Sequence, residues 1–385
     1  MSEPIVVIGG GIVGTSIALH TADRGSPTVL VERDAAPQGA SSSSFASITA
    51  LDERSQDLYL LKAASLPAWH RWDKRLNGDA GLRWDGEIRW TQTRDGAREL
   101  INKIGNARAH GYPVRLISPS QLAILLPAAR PEPVEAASFA PEDGHVEPQR
   151  VIAAARRALQ EAGSRLVHGR GKIIIRETGV EVQVAEETIK ASTIVLATGA
   201  ETASLTDKLG WDIPLAPSPG LLLTTTPAAP IAPHTVYVTP ASGPPIHLRQ
   251  LADGRVLIGE RSQDFATENP TQGHASSLLR QAARYFPALR EVEIDHFNVE
   301  WRPMPGDRMP VIGPAPGLPA LYIAVMHSGV TLAPSVGDLV AFELVERRVA
   351  PLLEPFRPAR FAERSAQVTL DLEDIFRQPS QLYLG

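Results

Sequence analysis

The sequence predicts an α/β chain in two parts, one built on buried parallel strands and the other an α+β part with a mainly antiparallel sheet. Three observations carry this. Ile5-Val6-Val7-Ile8 runs straight into Gly9-Gly10-Gly11-Ile12-Val13-Gly14 and, after a helical stretch, into Thr28-Val29-Leu30-Val31-Glu32-Arg33, the order strand, glycine turn, helix, strand, acid. Ile194-Val195-Leu196-Ala197 before Thr198-Gly199-Ala200, and Leu321 to Val325 before Met326-His327-Ser328-Gly329, are short unbroken apolar runs, as strands of a parallel sheet covered on both faces require. Between them, residues 221–224, 235–238, 246–249 and 256–259 read as closely spaced strands of a second sheet.

The first turn has the physical features of a dinucleotide site. Gly9 permits the tight turn, Gly11 lets backbone N–H groups approach a pyrophosphate, and Gly14 lets helix and strand pack closely. Ile12 and Val13 open the helix, whose unpaired N–H groups and dipole favour the phosphates. The helix is expected to continue as an amphipathic stretch from Thr15 to Ala22. Glu32 ends the second strand, where its carboxylate can accept hydrogen bonds from an adenosine ribose and would repel a 2′-phosphate. This favours FAD or NAD over NADP.

At 385 residues the chain exceeds the usual size of one domain, so two are expected. The predicted division assigns 1–80, 145–213 and 301–385 to the nucleotide-binding domain and 81–144 with 214–300 to a substrate-binding domain. Zero cysteines exclude disulfides, thiolate chemistry, cysteine-ligated metal and a cysteinyl link to a cofactor, and no metal is expected. A formal charge of −5 supplies no basic field for nucleic acid. There is no apolar run of roughly eighteen residues and no leader pattern before the first strand, so a cytoplasmic location is expected.

The remaining elements follow from period and punctuation. Leu58, Leu61, Leu66, Trp69 and Trp72 recur at helical spacing, whereas residues 82–90 alternate like a half-buried strand. Pro148 lies early in the first turn of a helix through Val151, Ile152, Ala155 and Leu159, with His145 as a cap or turn residue before it. Residues 164–168 and 179–184 read as a strand and part of a hairpin, and a last helix is expected from about Leu332 to Val345. The polar stretch Gly39-Ala40-Ser41-Ser42-Ser43-Ser44-Phe45-Ala46-Ser47 alone would be a surface linker.

Four motifs together resemble the FAD-dependent D-amino-acid oxidase superfamily over residues 4 to about 361. They are the glycine turn with Glu32-Arg33, the serine loop, Leu196-Ala197-Thr198-Gly199-Ala200, and Trp301-Arg302-Pro303 with His327-Ser328-Gly329-Val330-Thr331-Leu332-Ala333-Pro334. The resemblance implies a Rossmann-like FAD-binding domain of glutathione-reductase type, holding FAD non-covalently beside the substrate domain. It places Ser42, Ser44 and Ser47 along the pyrophosphate and ring edge, Thr198 and Gly199 in the cofactor crevice, and the Lys172 backbone against adenine. His327, Ser328, Gly329, Val330 and Thr331 would face the pyrimidine end of the flavin, where a helix N-terminus stabilises the negative charge that hydride delivers.

By the same resemblance, Arg302 grips a substrate carboxylate with the two parallel bonds of a guanidinium fork. His247 falls at an active-site position on a strand facing the flavin, Arg249 shares its parity, and His327 tunes the ring. The implied reaction is oxidation of a small amino acid or N-substituted amino acid by hydride transfer, with hydrolysis of the imine to an oxo acid. The electron acceptor is oxygen, a quinone or a protein. A strand lysine that some relatives place under the flavin is replaced by Leu257. A 2-hydroxy acid substrate, a homo-oligomer, and an electron-relay role within a larger dehydrogenase complex remain alternatives.

Overall fold

Strands Ile5–Ile8, Thr28–Glu32, Thr193–Leu196 and Leu318–Val325 lie in parallel register at the centre of a six-stranded sheet. Arg165–His168 adds a parallel edge beside Thr28–Glu32, and Val311–Ala315 an antiparallel edge beside Leu318–Val325. The computed structural model describes residues 2–35, 39–51, 55–177, 179–216, 218–260, 271–364 and 382–383. Most of the segment 362–385 therefore lies outside the described residues.

Alternation along these strands sorts their side chains into two cores. Ile5, Val7, Leu30, Val195, Tyr322 and Ala324 face helices Ile12–Asp23, Gln56–Arg75, Pro148–Glu161 and Gly329–Glu346. Val6, Ile8, Val29, Val31, Ile194, Leu196, Leu321 and Ile323 face a small antiparallel layer, Gly171–Arg176, Gly179–Val184 and Glu187–Ala191. Both faces are covered, which is why the runs carry no polar alternation.

The first helix differs from the amphipathic expectation. Thr15, Ser16 and Thr21 are as buried as Ile17 and Leu19, because the helices 148–161 and 329–346 enclose its other sides. Its hydroxyls are satisfied inside the fold, Ser16 donating to the Ala333 carbonyl at 2.7 Å and Thr21 to the Ala18 carbonyl at 2.8 Å.

The eight-stranded second sheet draws on residues 87–140 and 219–301. Its order is Ile294–Trp301, Pro219–Thr225, Val256–Glu260, Ile246–Gln250, Thr235–Thr239, Glu87–Thr91, Ala136–Ala140 and Arg115–Ile117. Among the described residues of this sheet, only Thr235–Thr239 and Glu87–Thr91 pair in parallel. Ile88, Trp90, Val236, Val238, Ile246, Leu248 and Ile258 pack on one face against helix Gln272–Tyr285. The opposite face carries polar groups and meets the nucleotide-binding part.

That second cover corrects the half-buried strand expected at 82–90. The strand is Glu87–Thr91, buried on both sides, while Leu82 and Trp84 pack against the other core and Arg83 makes only an isolated bridge to His145. His145 belongs to the short strand Gly144–His145 paired with Ser47–Ile48, and Glu147 takes the N-cap position before Pro148. Helix Gly329–Glu346 begins three residues before its expected start, with Ser328 in the left-handed region at φ 60°.

Candidate active site

Three neighbouring parallel strands end at Ile8, Leu196 and Val325, so their following turns meet at one edge of the sheet. Gly9 has φ +103°, and a Cβ there would collide with the Ala197 carbonyl. The same turn leaves helix 12–23 with Gly11 as an N-cap that offers no side-chain hydrogen bond, and helix 329–346 likewise has no side-chain cap from Ser328. Two helix N-termini thus open on one cavity of about 1020 Å³, which suits an elongated ligand carrying anionic groups.

Most of the residues singled out in the sequence line that cavity. Gly9, Gly11, Ile12, Val13, Glu32, Arg33, Ser44, Ser47, Thr198, Gly199, His247, Arg302 and His327 to Thr331 all do so. Glu32 accepts the Gly10 N–H at 2.5 Å and the Asp34 N–H at 3.0 Å, which fixes its carboxylate at the end of the strand. Arg33 pairs with Asp34 at 3.0 Å and Glu201 at 2.9 Å.

Four residues sit elsewhere. Gly14 lies beneath the turn, where a Cβ would run into the Gly9 carbonyl. Ser42 turns back to donate to the Gly39 carbonyl at 2.8 Å, and it is Ser41 and Ser43 that reach the cavity. The Ser41 hydroxyl accepts the Ile12 N–H at 3.1 Å, tying the serine loop to the helix start. Lys172 is buried in its strand, and the backbone just before it, Gly169 to Gly171, forms the wall.

Arg249 is the main correction. It has the expected parity but is covered by the serine loop, donating to the Phe45 carbonyl at 2.9 Å and the Val146 carbonyl at 3.3 Å. Burial pulls its guanidinium pKa down to about 10, with Glu147 and Tyr237 opposing. It ties the loop in place and does not line the cavity. Arg249→Met should lower stability by about 1–3 kcal/mol, because two buried carbonyls lose their donor, and thermal unfolding reads this directly.

The polar face of the second sheet forms the other wall. Arg89 pairs with Tyr237, Tyr237 with His247, His247 with Gly259, and Gly259 with Leu222, giving one row across five strands. The His247 ring lies across Gly259, where a Cβ would strike its Nε2, and packs edge-on against Phe45 with centroids 4.2 Å apart. Tyr237 stands beside it at 5.5 Å and its hydroxyl meets Ser47 Oγ at 3.2 Å.

Arg302 follows the strand Ile294–Trp301 and folds back over Gly220, whose missing side chain is what makes room for the guanidinium. It donates to the Glu260 carbonyl at 3.2 Å. Burial lowers its pKa, opposed by the charges of Glu260 and Tyr237. The Glu260 carboxyl is fully buried, pushed up by burial, and sits 2.8 Å from His274 Nε2. Asp307, five residues on, is held by Arg360 at 2.8 Å.

The sequence reading missed Lys62, Arg89, Tyr237 and Arg156. The first three line the cavity. Arg156 is buried behind the glycine turn, donating to the Gly10 and Ala35 carbonyls at 3.1 Å, with Glu32 3.9 Å away. The signal for Arg156 was a charged residue on the apolar stripe of helix 148–161; Tyr237 needed the cross-strand register.

Residues 4–343 match the family described as FAD dependent oxidoreductase, DAO. Among curated relatives, glycine oxidase of Geobacillus kaustophilus (strain HTA426) is 28% identical over 92% of this chain and 96% of its own length. An opine oxidase component of Rhizobium meliloti is 25% identical over 94% of this chain and 99% of its own. The solved glycine oxidase from Geobacillus kaustophilus superposes with a TM-score of 0.82 at 24% identity, over 92% of this chain and 98% of that one. With a family match spanning both sheets and a cavity built on the glycine turn, the chain belongs to the DAO family of FAD-dependent oxidoreductases.

Proposed function

We propose that this FAD-dependent enzyme dehydrogenates a small amine bearing a carboxylate, with Arg302 as the carboxylate grip. One observation carries the reading. The Arg302 guanidinium lies on the cavity wall, donates to the Glu260 backbone carbonyl and makes no ion pair among the described residues, so its charge faces the cavity. A carboxylate is its natural complement, and two parallel charge-assisted bonds would also fix orientation.

The chain's own residues divide the work of holding the cofactor. The Gly9 to Gly11 turn and the start of helix 12–23 would take the pyrophosphate, Glu32 the ribose, and the start of helix 329–346 the pyrimidine end of the ring. FAD, when bound, supplies a two-electron acceptor for the hydride of the substrate C–H. Arg302 would hold that C–H in register, which is catalysis by positioning. His247 and Tyr237 form the floor between the two, placed to bond a polar group on the substrate. An imine leaving such a site hydrolyses to an oxo acid. The names of the two curated relatives, a glycine oxidase and an opine oxidase component, support an amine over a hydroxy acid.

The test is anaerobic mixing of the holoenzyme with D-amino, L-amino, N-methyl amino and 2-hydroxy acids. Loss of the visible flavin absorbance with an amino acid supports the reading, and bleaching by 2-hydroxy acids alone overturns it. Readmitting air then separates oxygen from a quinone or protein as acceptor. Glu32→Gln should loosen FAD only several-fold, since an amide still accepts the Gly10 N–H but contributes a weaker, uncharged bond to the ribose; titrating apoprotein with FAD measures it.

A further inference from the structure

Arg156 is a charged side chain on the apolar stripe of helix Pro148–Glu161 and is only 8% exposed. It does not line the cavity, so it meets neither cofactor nor substrate. Its Nη2 donates to the Gly10 carbonyl and its Nη1 to the Ala35 carbonyl, both at 3.1 Å, while its Nε has no acceptor among the described residues. Burial lowers the guanidinium pKa, opposed by the Glu32 charge. So costly a group in so buried a place calls for a reason.

Gly10 stands between the two glycines that line the cavity, and it is held at both ends. Glu32 Oε2 accepts its N–H at 2.5 Å, and its carbonyl accepts from Arg156 and, at 3.0 Å, from the Thr15 hydroxyl. A Cβ on residue 10 would lie 2.7 Å from Arg156 Nη2 and 2.8 Å from Glu32 Oε2, so these two side chains fill the space that glycine leaves. The Gly10 carbonyl and the Gly11 N–H belong to one trans peptide unit, in which the two point opposite ways. Pinning the carbonyl toward helix 148–161 therefore turns the Gly11 N–H away from that helix. Gly11 lines the cavity and its N–H has no acceptor among the described residues, whereas the next N–H, that of Ile12, is taken by Ser41.

Charge points the same way. Glu32 sits against the turn, where its carboxylate alone would repel a pyrophosphate. The Arg156 guanidinium, 3.9 Å from Glu32 Oε2, offsets that charge from behind. A guanidinium on the carbonyl also polarises the peptide, which strengthens the N–H on its far side.

Resting on the placement of the pyrophosphate at the Gly9 to Gly11 turn, we infer that Arg156 is a positioning residue for the cofactor: through the Gly10 carbonyl it aims the Gly11 N–H at a phosphate, and its charge offsets that of Glu32. It shapes the phosphate site without touching the phosphate.

Release of FAD from diluted holoenzyme, followed by the rise in flavin fluorescence, tests this. Arg156→Met should loosen FAD about ten- to a hundred-fold, the range for a hydrogen bond to a charged group. Arg156→Lys should recover part of the loss, because an ammonium keeps the charge but cannot span both carbonyls. The sharper readout is the pair with Glu32. Glu32→Gln loosens FAD several-fold in the native background; in Arg156→Met it should cost nothing or tighten binding, because the carboxylate it removes is then uncompensated. Losses that simply multiply make Arg156 a tie within the fold and overturn the assignment, as does native affinity in folded Arg156→Met. Should Arg156→Met fail to fold, Thr15→Val removes the other donor to the Gly10 carbonyl and leaves the charges alone. It should loosen FAD about two- to tenfold, and native affinity in both Thr15→Val and Arg156→Lys overturns the assignment. Gly14→Val, which crowds the Gly9 carbonyl, separates this inference from the placement beneath it. If Gly14→Val releases FAD and Arg156→Met does not, only the role of Arg156 falls; if neither does, the placement falls with it.

Discussion

Gly14→Val is expected to yield protein that purifies without its flavin colour, with FAD affinity reduced at least about tenfold. The reason is local and steric. A Cβ on residue 14 would run into the Gly9 carbonyl, lie 3.0 Å from the Ala197 Cβ and 3.1 Å from the Gly9 carbonyl carbon. Two of these three atoms are backbone of the glycine turn, which cannot swing aside as a flexible side chain would. Valine adds branching on top, so helix 12–23 must lift away from the strand, carrying its N-terminal N–H groups with it. Overpacking of this kind costs about 1–3 kcal/mol or more, and every 1.4 kcal/mol is tenfold in affinity. Gly105→Ala is the matched control: it lies within helix Arg94–Ala109, with nothing within 4 Å of its Cβ, and alanine there should add up to about 1 kcal/mol of stability. Full FAD occupancy in Gly14→Val, read from the ratio of flavin to protein absorbance, would contradict the placement of the pyrophosphate at this turn.

The nucleotide half was legible because its determinants are contiguous. Strand, turn, helix and acid fall within residues 5 to 32, and each glycine has a local reason that needs no knowledge of distant chain. The substrate face was not, because it is assembled by register. Arg89, Tyr237 and His247 come from three separate stretches of sequence and meet only once Thr235–Thr239 is paired with two particular strands. Period-two alternation said that Arg249 and His247 share a face, which they do. It could not say that the serine loop would take up the Arg249 guanidinium while leaving His247 on the cavity wall. Within the serine loop, four consecutive serines are equivalent by composition, and only the turn at Gly39, with φ +68°, decides that Ser41 and Ser43 face inward while Ser42 faces back. Helix 94–109 carries readable signals, with Thr93 capping the Gly96 N–H and Leu100 and Ile104 on the buried side. Two glycines inside it, Gly96 and Gly105, argue the other way by propensity, and packing on the buried side overrides them.

Arg302→Met should lower kcat/KM for the best amino acid by about a hundredfold or more while the protein still binds FAD. Truncating one partner of a buried, hydrogen-bonded charge pair costs about 2–5 kcal/mol, and each 1.36 kcal/mol is tenfold in rate. How the loss divides is informative. If Arg302 binds the carboxylate equally in ground and transition states, KM rises and kcat holds; if it also aligns the C–H, kcat falls with it. The geometry favours both, because the guanidinium is confined between the Gly220 backbone and the Glu260 carbonyl and has little freedom to follow a misplaced ligand. Arg302→Lys should recover only part of the loss, since an ammonium restores the charge without the fork. The decisive comparison is between an amino acid and the amine that lacks its carboxylate. The native enzyme should prefer the acid strongly, and in Arg302→Met that preference should nearly vanish, because the group that read the carboxylate is gone while the flavin face of the cavity is intact. A variant that is slower on both compounds by the same factor would instead make Arg302 a structural link between the Gly220 and Glu260 strands. The carboxylate would then have to be met elsewhere on the wall, where Arg89 and Lys62 are the other buried cations among the described residues.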